Sequence, residues 1–313
     1  MPPRISFTPP LLNSATPWAT DHADLTALYA SPHTGAVTTR TSLLHGFTED
    51  PSVHQKVVFP TTTTPAAQAS SLNTYGYSPH PLAFYLDAIA DIIAASHAPQ
   101  TKPFIISITG SPADVGNAVV TIANFAKQTA YALLVEINLS CPNIPGKPPP
   151  AYDLSELLTY LAVLSDLRLA VPVPLGLKTP PYTHDGEYRV LLDALKQHSR
   201  VVSFITSTNT LGSALHVSRA GGTYQPTLAS AAGTGIGGLG GACIHWLSLG
   251  NVATIRRMLD AEEALRDVVV IGVGGVGDRD GWERMLSVGA VAVGVGTALG
   301  DKGVDVFGQI LGA

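Results

Sequence analysis

This chain of 313 residues has little charge and little sulfur. Asp, Glu, Lys and Arg make up 13% of it, and the 18 basic and 23 acidic residues leave a net charge of −5 with no basic run. Proteins that neutralise nucleic-acid phosphates present a cationic stripe, so that class of partner is excluded. No apolar stretch reaches the roughly 18 residues of a membrane span, and the opening MPPRISFTPP lacks the charged start and apolar run of a signal peptide. A cytoplasmic protein without membrane contact is expected. The two cysteines, Cys141 and Cys243, lie far apart with no CxxC spacing, so no metal site is expected and each thiol is weighed separately.

What the chain does have is apolar residues, 45% of the total, in a repeating order. Short β-branched or apolar runs at 11–15, 35–39, 104–109, 133–139, 173–178, 201–207, 268–273 and 290–295 predict strands. Between them, segments 21–30, 81–97, 112–129, 153–167, 187–198, 248–265, 279–288 and 302–311 predict helices. Asp21 and Asp153 stand where an N-cap carboxylate accepts from the first turn. A strand followed by a helix, eight times over, predicts one α/β domain spanning 1–313, a (β/α)8 TIM barrel. Two segments break the period. Residues 43–80, with a TTTTP run, and the Gly-rich 213–247 predict loop excursions, the first opening onto the C-terminal rim where such barrels carry their chemistry.

INLSCPNIPGKPPP (137–150) runs an apolar strand straight into Asn138, Ser140, Cys141 and Asn143, then into a Pro/Gly-rich loop suited to a lid. A thiol there suits a base, although a lone buried cysteine is more often structural. Cys243, without polar neighbours in GACIHW, takes the structural reading. Lys178 ends the apolar strand of GLKTPPY, where its charge suits an anionic partner such as the N1/O2 edge of a reduced flavin, or else snorkels to solvent. Asn209 and Thr210 of TNTLG, and Asn73 of NTYGY, offer paired donors and acceptors to a planar heterocycle, or serve turns. IGVGGVGDRDG (271–281) and VGVGTALGDKG (293–303) place glycines between strand and helix in the last two units, where barrels hold phosphate.

These motifs, with LLNSA (11–15) and GIGGLGGA (235–242), resemble the dihydroorotate dehydrogenases, and INLSCPNIPGKP resembles their soluble, fumarate-using class with a cysteine base. The resemblance implies an FMN enzyme of pyrimidine biosynthesis, in which Cys141 removes the C5 proton of (S)-dihydroorotate while the C6 hydride passes to N5 of FMN, giving orotate. Fumarate then takes the electrons and becomes succinate. Asn73, Tyr75, Gly76, Tyr77, Asn138, Asn143, Asn209 and Thr210, with Arg40, would line the substrate side. Lys178 would stabilise reduced flavin, and Ala15, Thr41, Asn138, Thr208, Gly241, Gly274, Gly275, Gly296 and Thr297 would hold the cofactor. A homodimer is also implied.

The chain departs from the family pattern at several points. Arg40 in TRT replaces the family's lysine in TKS, and guanidinium and ammonium are not interchangeable. Tyr75 and Tyr77 replace smaller apolar residues, and His245 and Trp246 replace a lysine and a proline. These changes keep open an FMN oxidoreductase for another small cyclic amide or unsaturated acid. They also leave open an inactive FMN-binding barrel, and the Gly loops alone would suit a phosphosugar site.

Overall fold

The computed structural model describes residues 5–60, 68–96, 100, 102–167 and 173–313; the TTTTP run and the last residue of the expected helix 81–97 lie outside these. In chain order the described residues form β1 (Leu11–Asn13), α1 (His22–Ala30), β2 (Val37–Thr38), β3 (Lys56–Pro60), β4 (Ala69–Asn73) and α2 (Leu82–Ala95). Then come β5 (Phe104–Ile108), α3 (Pro112–Thr129), β6 (Leu133–Asn138), α4 (Leu154–Leu167), β7 (Leu175–Thr179), α5 (Asp185–Gln197) and β8 (Phe204–Ser207). The excursion strands β9 (Leu211–Ala214), β10 (Val217–Ala220), β11 (Thr223–Pro226) and β12 (Gly237–Gly241) precede α6 (His245–Ala261) and β13 (Val269–Val273). The chain ends with α7 (Arg279–Ser287), β14 (Ala292–Val295), α8 (Thr297–Lys302) and α9 (Val306–Leu311).

Eight strands pair in the order β1-β14-β13-β8-β7-β6-β5-β2, all parallel. The ring closes between its ends through a bridge from Leu12 to Ala36 and through a side chain. Asn13 Oδ1 accepts from the Thr38 amide at 2.9 Å and Asn13 Nδ2 donates to the Thr38 carbonyl at 2.6 Å. A buried carboxamide thus stands in for one peptide unit where β1 and β2 are too short to pair. The TIM barrel expected from the pattern is the observed fold.

Its interior has two zones. Phe7, Leu12, Ile105, Leu134, Phe204, Ile271 and Ala292 fill the N-terminal half as one apolar cluster. A larger cluster lies between the strands and helices, with Leu25, Ile89, Val119, Leu161, Leu195, Val252 and Phe307 facing inward from the outer layer. Toward the strands' C-terminal ends the interior becomes polar, with Ser107, Glu136 and Lys178 all buried.

Local chemistry fixes the ends of the helices. Asp21 Oδ1 accepts from the Asp24 amide at 2.8 Å and Asp153 Oδ1 from Glu156 at 2.9 Å, as N-caps should. The helix expected at 302–311 is instead two, α8 and α9, divided at Gly303 with φ +71. Helix therefore begins at Thr297, inside the motif read as loop. No helix among the described residues is long and apolar enough to cross a membrane.

Both predicted excursions rise over the C-terminal rim, and they pair with each other. β3, β4, β12 and β9 form one antiparallel sheet, with Leu72 opposite Leu239 and Asn73 opposite Gly238. β10 and β11 make an exposed hairpin beyond it.

Candidate active site

Between the rim of the barrel and the excursion sheet lies a cavity of about 1020 Å³, its open mouth included. Loops after six of the eight barrel strands reach it: Ala15 after β1, Arg40 and Thr41 after β2, Cys141 and Asn143 after β6, Asn209 and Thr210 after β8, and Gly274 and Gly296 after β13 and β14, while Lys178 comes from within β7 itself. β4 and its continuation add Asn73, Tyr75, Gly76 and Tyr77, and β12 adds Gly241. Asn138, Thr208, Gly275 and Thr297 complete the set, so every site residue expected from the sequence lines this one cavity.

The floor is a directed hydrogen-bond chain. Asn138 Nδ2 donates to Thr41 Oγ1 (3.0 Å), whose hydroxyl lies 2.9 Å from Ser107 Oγ, which donates to Glu136 Oε1 (2.8 Å). Asn209 Nδ2 donates to Ser140 Oγ (3.0 Å) and reaches Asn138 Oδ1 at 3.3 Å, which also accepts from Ser140 Oγ at 2.9 Å. Glu136 lies 3.9 Å from Lys178 Nζ, and both side chains are almost wholly buried. Burying either charge alone would be costly; each stabilises the other, and Ser107 supplies Glu136 with a further donor.

Above this floor, Asn143 Nδ2 donates to the carbonyl and Oδ1 of Asn73 (3.2 and 3.0 Å) and to the Tyr75 carbonyl (2.9 Å). The cysteine loop is thereby pinned to the first excursion. Asn143 Oδ1 is buried without a protein donor, an arrangement that favours a ligand carrying N–H groups.

Cys141 is half-buried at the cavity wall. Burial pushes its thiol above the ordinary value, while the Asn143 backbone amide and the Lys178 charge pull the other way. The thiol is thus mostly protonated near neutral pH and lies beside a cation that favours its ionised form. Tyr77 is pushed up strongly, chiefly by burial, then by Cys141, against a hydrogen bond with Thr109. Cys243 is exposed and outside the cavity lining, so its thiol is not the buried structural group expected; only its backbone amide is engaged, donating to Ser70 Oγ at 2.9 Å.

Arg40 is buried and already engaged. Its Nη2 lies 2.7 Å from Glu49 Oε1, its Nη1 donates to Thr20 Oγ1 at 3.3 Å, and its guanidinium carbon is 5.3 Å from the Tyr75 ring centre. Lys56, which also lines the cavity, holds its Nζ 4.4 Å over Trp18 with no carboxylate within 4.0 Å among the described residues, and burial lowers its pKa.

At the opposite end, backbone of Gly241, Gly274, Gly275 and Gly296 lines the cavity. Gly274 has φ +138, and a Cβ there would meet Ser248 Oγ at 1.9 Å; one on Gly241 (φ +77) would meet the Ala69 carbonyl at 2.4 Å. Only glycine permits this close approach of the backbone. His245 is buried behind the cradle, its Nδ1 2.8 Å from the Gly274 carbonyl, and Arg284 Nε donates to its Nε2 at 3.1 Å. Burial above all, and then the Arg284 cation, push the His245 pKa below its ordinary value against the Gly274 hydrogen bond, so the ring is neutral, accepting at Nε2 and donating from Nδ1.

Sequence reasoning missed Glu136, Ser107, Glu49, Lys56 and Trp18. The one signal for Glu136 was a lone carboxylate in the apolar run LLVEIN. Its companion signal was Lys178 in LGLKT on the neighbouring strand, where Glu136 pairs with Gly176 two residues earlier. Glu49 and Lys56 lie in the irregular excursion, which has no period to locate them.

A family model described as dihydroorotate dehydrogenase matches residues 56–312. A protein of Trypanosoma cruzi (strain CL Brener) named dihydroorotate dehydrogenase (fumarate) is 32% identical over 241 residues, covering 77% of this chain and 70% of that one. A protein of Streptococcus uberis (strain ATCC BAA-854 / 0140J) named putative dihydroorotate dehydrogenase A (fumarate) is 32% identical over 245 residues with the same coverage. Among solved structures, the DHODH of Eimeria tenella in complex with ferulenol superposes with a TM-score of 0.68 over 96% of this chain and 79% of that one, at 17% identity, a likeness of fold. By its family match and these relatives, the chain belongs to the dihydroorotate dehydrogenase family.

Proposed function

We propose that this protein is an FMN-dependent oxidoreductase that converts (S)-dihydroorotate to orotate in pyrimidine biosynthesis with fumarate as electron acceptor. The observation that carries this reading is the convergence, in a chain of this family, of Cys141, Lys178, four asparagines and a glycine cradle on one cavity. The cavity fits FMN: close-approach glycines at one end suit a phosphate, and Lys178 at the centre suits the anionic edge of the reduced ring. Gly241, Gly274, Gly275, Gly296 and Thr297 would hold the phosphate end, and Ala15, Thr41, Asn138, Thr208 and Lys178 the ring. When bound, FMN would supply two-electron redox chemistry, taking a hydride from the substrate and passing the electron pair on to fumarate.

The protein's own residues do the rest. Asn73, Asn138, Asn143 and Asn209, with Thr210, bind the amide and carbonyl edges of the pyrimidine and orient it. Arg40, Tyr75, Gly76 and Tyr77 close the substrate side. The Cys141 thiolate takes the C5 proton as the C6 hydride leaves, so the ring gains its C5–C6 double bond, and the excursion sheet excludes water. The reading extends to a homodimer of single-domain barrels, residues 1–313, in the cytoplasm.

Anaerobic mixing of the flavin-loaded protein with dihydroorotate tests it. Bleaching of the flavin absorbance, reversed by fumarate, is the expected result; a flavin that stays oxidised overturns the assignment. The departures at Arg40, Tyr75 and Tyr77 favour a second reading, the same chemistry on another small cyclic amide, which dihydrouracil in the same assay detects.

A further inference from the structure

The described residues lining the cavity include three cations, Arg40, Lys56 and Lys178. Lys178 is matched on the floor by Glu136. Arg40 is matched by Glu49, which is not among the residues lining the cavity and lies 2.7 Å from the guanidinium. Thr20 holds the other guanidinium nitrogen, and the Tyr75 ring lies alongside. Arg40 therefore faces the cavity held on two sides and already paired with a carboxylate. A carboxylate entering from the cavity must share Arg40 with Glu49 and meets the repulsion of that fixed anion.

We propose that Glu49 is a specificity-determining residue: an internal carboxylate that sets the charge Arg40 presents, so that ligands are selected by the heterocycle on the asparagines more than by a carboxylate substituent. This rests on the functional reading above. Glu49 acts through Arg40 and touches no substrate, so its signature is a change in selectivity rather than a general loss.

Orotate and uracil differ only in the carboxylate, and their binding to the oxidised flavin-loaded protein can be followed by perturbation of the flavin spectrum. Glu49→Gln keeps an oxygen to accept from Arg40 but removes the charge. It is expected to tighten orotate binding about tenfold, the effect of roughly 1.4 kcal/mol of relieved repulsion, while uracil binding stays within about twofold. Glu49→Asp, which keeps the charge, restores the wild-type ratio. Adding Arg40→Met to Glu49→Gln abolishes the gain, which ties it to Arg40 and not to repacking. Orotate binding that is unchanged or weaker in Glu49→Gln, or a parallel change in uracil, overturns the proposal and leaves Glu49 as a structural anchor. A wild-type protein that holds flavin yet binds neither ligand overturns instead the functional reading on which the proposal rests.

Discussion

On the cavity floor Lys178 and Glu136 are each other's counter-charge. The pair is buried at 3.9 Å, and Ser107 completes the carboxylate's bonding. Removing one partner of such a pair leaves an uncompensated buried charge, at a cost of about 3–5 kcal/mol. Glu136→Leu is therefore expected to lose stability on that scale in urea unfolding, and a loss under 1 kcal/mol would show that the charges are solvated. Lys56 is placed differently, because it lines the cavity with no carboxylate within 4.0 Å among the described residues, so its charge is expected to attract an anionic ligand at a distance. Lys56→Met should lower kcat/KM for dihydroorotate several-fold, leave kcat unchanged and flatten the dependence on ionic strength; an unaltered salt dependence would remove Lys56 from substrate capture. Cys141, Lys178 and the four asparagines were legible in the sequence because each stands at the end of an apolar run or beside an obvious loop. Ser107 and Glu136 were not, because the hydrogen-bond chain that runs from Thr41 through them depends on β2, β5 and β6 lying side by side in the folded sheet.

Among the elements, the eight barrel strands were legible from their period and the excursions only as breaks in it. Nothing in residues 43–80 or 213–247 says that they pair, since the Leu72–Leu239 register depends on the barrel bringing two distant loops to one side of its rim. The helix break at Gly303 was equally hidden, because a glycine inside an apolar pattern is compatible with continuation. The closure of the ring rests on Asn13, whose two bonds to Thr38 are buried. Asn13→Leu leaves the Thr38 amide and carbonyl unpaired, so a loss of about 2–4 kcal/mol is expected in thermal or denaturant unfolding. A neutral outcome would mean that β1 and β2 pair without the side chain. At the cradle, Gly274→Ala forces a Cβ onto Ser248. FMN retention measured by fluorescence should fall at least about tenfold, the size of a small backbone displacement at a phosphate, and wild-type retention would place the phosphate elsewhere.

At the scale of the whole molecule, the barrel supplies a rigid lower half and a polar upper half, and two insertions roof the latter. FMN bound as proposed would touch both the rim and this roof and should stabilise the fold by mass action, about 2.7 kcal/mol at a hundredfold excess over Kd. Riboflavin, which lacks the phosphate, should raise Tm clearly less than FMN at equal concentration; equal shifts would argue against the glycine cradle as the phosphate site. The central claim is that Cys141 is the base. Burial raises its thiol, so the thiolate fraction, and with it the rate of flavin reduction by dihydroorotate, increases as pH rises and levels off only above the ordinary thiol range. The most direct measurement is the pH profile of that single-turnover reduction in the wild type and in Cys141→Ser. The wild type is expected to show a rising limb with its midpoint above the ordinary thiol value, and the variant a rate lower by about a hundredfold or more with that limb gone. A serine variant that keeps the wild-type limb would contradict it.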